Sequence, residues 1–299
     1  MKQVCLYHRS DLDGHCSAAI VKHFRPDAEL IGVEYGDEIL TSEKLWTKLK
    51  GADVCLVDFS LQPWSEMQRL SEEADAVLWI DHHRSAISLY HKEGVTRPTD
   101  FVAFLREGTA ACELCWEYFS QIVMPRAVYL LGRYDVWDHT DPDTLPFQYG
   151  MRLNDTDPSR AGQDGVFPWG DVLHIGGDEE NFLSATLEQG QTIIEYQRQE
   201  NAKLMKVAFL HEWKEYTWLA VNAGGINSLA CKSVFDPTKH DGFMSFFFGG
   251  KKWKVSLYSP DQAHDFEFLA QEMDGGGHPA ACGFMVENLK EIGLITPEK

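Results

Sequence analysis

The sequence contains no apolar run approaching the roughly 18 residues a membrane-spanning helix requires, which argues against a membrane partner. It is also short of positive charge: 27 Lys and Arg face 46 Asp and Glu, for a formal net charge of -19. Long duplex nucleic acid is usually held by a basic surface that releases counterions. The balance here points away from long duplex DNA and toward a small anionic substrate whose charge is met by bound cations. Low-complexity tracts and internal repeats are absent. The 7 cysteines are odd in number and scattered, several of them in apolar strand-like runs such as VCLYH and DVCLVDF. Reduced, buried thiols are expected rather than a disulfide framework. The one CxxC, Cys112 and Cys115, lies in ACELCWEYF, which reads as an apolar helix rather than a zinc or redox site. The start, MKQVCLYHRSDLDG, turns polar after one short strand and carries no signal-peptide core, so a cytoplasmic protein is expected.

What is present argues for an ordered chain. A hydrophobic fraction of 44% with 9 Trp, 17 Phe and 10 Tyr gives a real core, and 299 residues suit two domains of unequal size. Residues 4–7 read as a short strand, 17–24 as a helix and 30–35 as a second strand. Residues 53–59 are nearly continuous apolar, as a buried parallel strand should be. A helix over 63–73 leads to another buried strand over 76–80. This alternation predicts a parallel sheet with right-handed crossovers. Residues 110–120 and 126–131 read as helices. Residues 140–182, with Pro142, Pro146, Pro158 and Pro168, read as a loop-rich insertion. A long connecting helix is expected from 183 to about 210. Beyond it lie a strand over 216–221, a helix over 226–234, and a hairpin of 243–248 with 253–258 around Gly249-Gly250-Lys251-Lys252. Gly275-Gly276-Gly277-His278 reads as a backbone-rich loop.

Acidic and imidazole groups gather where three of the predicted strands end. His8, Asp11 and Asp13 follow the first; Asp58 ends the 53–59 run; Asp81, His82 and His83 follow the 76–80 strand. A fourth cluster, Asp135 and Asp138, follows a helix-like run. One Asp after a strand is ordinarily a helix cap. Taken jointly the pattern differs, because open α/β sheets bind ligands beyond the carboxyl ends of their strands. That many such groups at one sheet edge would repel and desolvate badly without cations. Mixed carboxylate and imidazole donors suit Mn²⁺ or a similar divalent ion.

In order along the chain, HRSDLDG, LVDFS, IDHHRSA, GRYDVWDH and GGGHPAACGF resemble the successive motifs of the DHH superfamily of phosphoesterases with a C-terminal DHHA1 domain. The resemblance spans residues 8 to 283 and is nearest the NrnB-like branch of oligoribonucleases and small-nucleotide phosphodiesterases. It implies an α/β fold in which a parallel-sheet DHH domain (1–182) is joined by a connecting helix (183–212) to a smaller α/β DHHA1 domain (213–299). It implies two divalent metal ions as cofactors, Mn²⁺ first, with Mg²⁺ or Co²⁺ as substitutes. By the family pattern His8, Asp11 and Asp58 hold one ion. Asp13, Asp58, His82 and Asp135 hold the other, with Asp58 bridging and contributing to catalysis. Asp81 orients a neighbouring histidine. His83 meets the scissile phosphate as an acid or a charge clamp, and Arg84 adds a phosphate contact. Gly275, Gly276, Gly277 and His278 close over the substrate, with backbone N–H groups open to phosphate oxygens.

The activity implied is a metal-dependent phosphodiesterase acting on a short oligonucleotide or a small, cyclic or linear nucleotide. Two alternatives stay open: a nucleotide phosphomonoesterase, such as one acting on 3'-phosphoadenosine 5'-phosphate, and a nucleotide sensor that keeps the fold without turnover. A homodimer is compatible with the sequence. Where many relatives read S-L-R-S, this chain has Ser256-Leu257-Tyr258-Ser259, and Tyr258 either stacks on a base or packs within its strand. Asn222 and Asn227 are read as base contacts or turn residues. Asp138 and His139 are read as supporting groups or loop polars.

Overall fold

A computed structural model describes residues 2–96, 100–160, 169–173 and 179–294. The chain divides into two compact units, Met1–Ile194 and Glu195–Lys299. The first is a doubly wound α/β unit around an all-parallel five-stranded sheet, β1 (Gln3–His8), β2 (Glu29–Val33), β3 (Asp53–Val57), β4 (Ala76–Asp81) and β5 (Phe101–Leu105). The strand order is β2-β1-β3-β4-β5. The chain therefore winds to one side from β1 to β2 and to the other from β1 to β3. That reversal makes the carboxyl ends of β1 and β3 the topological switch point, where open α/β sheets form their crevice.

Both faces of the sheet are covered, which is why the interiors of its central strands β1, β3 and β4 are nearly continuous apolar runs. One core layer joins Cys5, Tyr7, Cys55, Val57, Leu78 and Ile80 to helices α1 (Leu12–Phe24), α5 (Ala111–Phe119), α6 (Arg126–Asp135), α7 (Thr144–Met151) and α8 (Trp169–Leu173). The other joins Val4, Leu6, Val54, Leu56, Val77 and Trp79 to α2 (Glu43–Leu49), α3 (Trp64–Glu73) and α4 (Arg84–Glu93). All seven cysteines are buried and unpaired by disulfides, Cys112 and Cys115 inside α5 among them.

The expected loop-rich stretch is partly helical. The buried helix α7 occupies Thr144–Met151, with Pro146 in its first turn, where a missing N–H costs nothing. It packs against α9 (Glu179–Leu204) through two glycines. A Cβ on Gly150 would sit 2.1 Å from the Thr186 carbonyl oxygen, and one on Gly190 would sit 1.7 Å from that of Pro146. Pro146 and Gly150, inside the stretch expected as a loop, sit instead at a close helix crossing. Pro168 lies outside the described residues. Helix α1 begins earlier than expected because Asp11, in extended backbone, caps it by accepting from the Gly14 N–H at 2.9 Å. Strand β5 has no counterpart among the strands expected from sequence.

The second unit carries a mixed six-stranded sheet in the order β10-β11-β9-β8-β7-β6: β6 (Phe209–Trp213), β7 (Tyr216–Asn222), β8 (Gly242–Phe248), β9 (Trp253–Tyr258), β10 (Gly276–His278) and β11 (Ala281–Val286). The hairpin of β8 and β9 pairs Phe248 with Trp253 around the expected Gly-Gly-Lys-Lys turn. Helix α10 (Glu267–Glu272) and the C-terminal end of α9 also belong to this unit. Three expectations change. The end of the proposed connecting helix is strand β6, since α9 stops at Leu204. The helix expected over 226–234 shrinks to one 3-10 turn, Ser228–Cys231, capped by Asn227, which accepts from the Leu229 N–H at 3.0 Å. The glycine-rich loop is strand β10, paired with β11. Among the described residues no helix is long and apolar enough to cross a membrane.

Candidate metal centre

The motif residues of the first unit arrive from five elements and meet at the switch point. His8 ends β1, and Asp11 and Asp13 open α1. Asp58 follows β3 directly. Asp81 ends β4 and is followed by His82 and His83, while Asp135 ends α6. Nδ1 of His8 lies 3.0 Å from Asp11 and 3.6 Å from Asp58. Nε2 of His82 lies 3.4 Å from Asp58, 3.7 Å from Asp13 and 3.2 Å from Asp135. Two ligand sets result, His8/Asp11/Asp58 and Asp13/His82/Asp135, each with its donor atoms within 4.8 Å of one another. Asp58 touches the histidine of both. No cysteine enters a ligand set among the described residues.

A third set, Asp58/His82/His83, is closed by chemistry. The atom of His83 facing Asp58 is Nδ1, at 3.8 Å, and that atom is already engaged with Asp81 at 2.7 Å. Asp81 is fully buried and gathers donors: the backbone N–H groups of His82 (2.7 Å) and His83 (3.0 Å), and the Trp79 indole N–H (3.2 Å). Burial alone would raise the Asp81 carboxyl, but the adjacent His83 outweighs it and holds it below the usual carboxylate range. Asp81 is thus an anion that accepts from Nδ1 and leaves Nε2 as the available nitrogen of His83.

The fit to cations is visible in what the protein leaves unsatisfied. Asp58 Oδ1 and His8 Nδ1 are buried without a hydrogen-bond partner, although each faces other donor atoms. Burial pushes the Asp58 carboxyl well up, reinforced by the charges of Asp13 and Asp11. Burial and Asp13 do the same to Asp135. The imidazoles shift to match. Burial would lower His8, yet Asp11 and Asp58 lift it to about 10. His82 rises against its burial under Asp135 and Asp13. Carboxylates and imidazoles that both hold protons more tightly than usual mark a cluster whose crowded negative charge a cation would neutralise. The backbone at Asp58 is also left-handed (φ 53°), a conformation costing on the order of 1 kcal/mol and retained where function requires it.

Several supporting residues escaped the sequence reading. Asp13 spans to α5, accepting from the N–H groups of Ala111 (2.9 Å) and Cys112 (2.7 Å). A carboxylate has about four acceptor positions, so a cation can still be met. Glu113, in the same turn of α5, is ion-paired with Arg133 two residues before Asp135. The Trp79 indole ties the Phe59 carbonyl (3.0 Å) to Asp81. Gly14 has no tolerance for a side chain: a Cβ there would lie 1.9 Å from the His8 carbonyl oxygen. The glycine immediately after D-x-D was the available signal. Gly14→Ala is expected to lower unfolding free energy by about 3 kcal/mol, at the upper end of ordinary overpacking, as measured by denaturant titration. An unchanged midpoint would show that β1 and α1 are not so tightly apposed.

Other expected site residues stand apart. Arg84 opens α4 and pairs with Glu107 at 3.0 Å on the surface. Asp138 accepts from Thr140 and pairs with Arg133, and His139 packs with Tyr134 and Trp137. In the second unit, the Tyr258 hydroxyl donates to the Ile226 carbonyl at 2.9 Å and the ring stacks on Phe243, so it packs within its own sheet. Asn222 ends β7. Of the three glycines, Gly275 and Gly277 are explained by packing, since a Cβ would meet the Gly283 carbonyl oxygen at 2.2 Å and the Ala281 carbonyl oxygen at 2.7 Å. Gly276 has open space around it. His278, two residues on, is exposed.

The fold and site define a doubly wound α/β protein with a candidate two-cation centre at its switch point. No family profile and no curated protein matches the chain. Solved structures similar to it include the pGpG-specific phosphodiesterase PggH from Vibrio cholerae, at 13% identity over 97% of this chain and 94% of that one, with a TM-score of 0.44. An exopolyphosphatase-related protein from Bacteroides fragilis matches at 15% identity over 95% and 86%, TM-score 0.44. RecJ from Thermus thermophilus, solved with Mg²⁺, matches at 13% identity over 97% of this chain but only 48% of RecJ, TM-score 0.44. Likeness at these levels carries no chemical argument; the chemistry rests on the side chains of this chain.

Proposed function

We propose that this protein is a two-metal phosphodiesterase of the DHH type that hydrolyses short oligonucleotides or small nucleotides, with Mn²⁺ as its working ion. The observation that carries the reading is the position of Asp58, buried, unsatisfied and within 3.6 Å of both His8 and His82, between two ligand sets. His8, Asp11 and Asp58 would hold one ion, and Asp13, His82 and Asp135 the other with Asp58 shared. When bound, such a pair supplies a reactive water at neutral pH and charge stabilisation at phosphorus.

The remaining roles fall to the chain. His83 is fixed through Nδ1 by Asp81 and is raised above its ordinary pKa, since Asp81 and Asp58 outweigh the effect of burial. It is therefore suited to donate from Nε2 to a phosphoryl or leaving oxygen. No serine or cysteine nucleophile is required. In the second unit, Gly276 and His278 are the residues of the glycine motif we assign to phosphate contact, Gly276 because no neighbour accounts for its lack of a side chain.

The test is a substrate panel scored by kcat/KM in Mn²⁺: a linear dinucleotide, a cyclic dinucleotide and 3'-phosphoadenosine 5'-phosphate. The diesters are expected to turn over at least about 10-fold better than the monoester. The reverse order would make the protein a phosphomonoesterase, and no turnover of any would leave a sensor.

A further inference from the structure

We propose that Tyr35 is a stacking platform for a nucleobase beside the candidate metal centre, which would make the substrate nucleoside-bearing rather than an inorganic polyphosphate or pyrophosphate. The proposal deepens the phosphodiesterase reading and rests on it for the location of the reacting phosphate.

Three features of the structure converge on this residue. The first is its rigid presentation. Tyr35 occupies the second position of a tight turn after β2, closed by the Asp37 N–H to the Glu34 carbonyl at 3.1 Å. Gly36 follows with φ +89°, as a type II turn demands at its third position. The turn is pinned to the residue after His8: the Arg9 N–H bonds the Val33 carbonyl at 3.0 Å, and the Arg9 guanidinium bonds Asp37 at 2.9 Å.

The second is the ring environment. Tyr35 packs on Phe59, centroids 4.4 Å apart and 30° between planes, and Phe59 is fully buried directly after Asp58. The Ser60 N–H approaches the Tyr35 hydroxyl at 3.5 Å. Phe59 thus backs the ring while 47% of Tyr35 remains exposed. The third is proximity. The Tyr35 and His8 ring centroids are 6.0 Å apart, so the ring adjoins a candidate ligand.

An aromatic residue held rigidly and left about half exposed next to a cluster of acids and histidines is poorly explained by core packing. A nucleobase has the matching chemistry: a flat π-face that stacks on aromatic side chains with little sequence preference. Phosphate-only substrates have no such face and gain nothing from Tyr35.

The experiment compares wild type, Tyr35→Phe and Tyr35→Ala on two probes in Mn²⁺. One is 5'-phosphorylated diadenylate; the other is the same diester built from abasic deoxyribose units. For Tyr35→Ala the diadenylate KM is expected to rise about 5- to 100-fold, the range that losing one base stack spans, with kcat changed less than about 2-fold. Tyr35→Phe keeps the ring and should stay near wild type, and the abasic probe should be indifferent to both variants. An unchanged diadenylate KM, or an equal loss on the abasic probe, overturns the platform. If wild type cleaves neither probe, the phosphodiesterase reading fails by itself. The platform is then judged by calorimetric binding of diadenylate, where Tyr35→Ala must weaken affinity by the same factor while Tyr35→Phe does not.

Discussion

Asp58→Ala is expected to lower Mn²⁺-dependent kcat/KM by at least about 10³-fold, equivalent to about 4 kcal/mol of transition-state stabilisation. Among the described residues it is the one acid within 4 Å of both His8 and His82, so its loss strips a shared donor from both proposed ions at once. The same substitution should leave the metal-free protein as stable as before or more so. The removed carboxyl is buried and carries an unsatisfied oxygen. Relief of such a group is worth about 1–3 kcal/mol, which offsets the small cavity that alanine leaves. Asp58→Asn, which keeps the shape and one oxygen, separates loss of charge from loss of packing. Activity within a few-fold of wild type in both variants would remove the shared-ligand assignment.

Withdrawing the metal is the second large effect. Chelation should abolish turnover, and restoring Mn²⁺ to about 100 times its dissociation constant should stabilise the fold by about 2.7 kcal/mol per site. For a unit of this size that is roughly 5–10 °C in Tm for one site. The increment should be larger at pH 8 than at pH 5.5, because cations compete with protons for these donors.

The sign of the metal-free pH dependence follows from the shifts. Asp58 and Asp135 have folded values raised above the ordinary carboxylate range, so their contribution is intact in acid and is lost as pH rises through those raised values. His8, raised to about 10, contributes fully below its ordinary 6.5 and loses its contribution as pH climbs through about 10. Asp11 and Asp81, both lowered, contribute above about 3.8 and are lost only in stronger acid. Between pH 5.5 and 8 the chelated protein should therefore weaken as pH rises, and Mn²⁺ should flatten that slope. A metal increment independent of pH would mean that the ions bind elsewhere.

Much of this was legible in the sequence. The apolar runs of β1, β3 and β4 end at the acids and histidines themselves, so the strand ends and the ligand candidates were one observation. What could not be read was contact at a distance. Nothing around ACELCWEYF marks Ala111 and Cys112 as partners of Asp13, nearly one hundred residues earlier, because backbone N–H groups carry no side-chain signature. Composition misled at α7, where proline and glycine served a close helix crossing rather than a loop. Strand β6 follows a 26-residue helix whose apolar spacing appeared to continue past Leu204. Tyr258 shows the limit of a motif comparison: the departure from the familiar pattern was visible, but its bond to Ile226 was not.

The acids at the switch point divide by occupation. Asp11 begins α1, Asp13 fastens α5, and Asp81 collects the backbone of the following two residues, so each is anchored by the polypeptide before any ion arrives. Asp58 lacks such an anchor on Oδ1. A descendant that lost the proposed activity would be free to discard Asp58, whereas losing Asp13 or Asp81 would still break hydrogen bonds of the fold. Drift in this architecture should therefore erase the Asp58 charge first, and leave behind a fossil pocket in which Asp11, Asp13 and Asp81 testify to architecture rather than to activity.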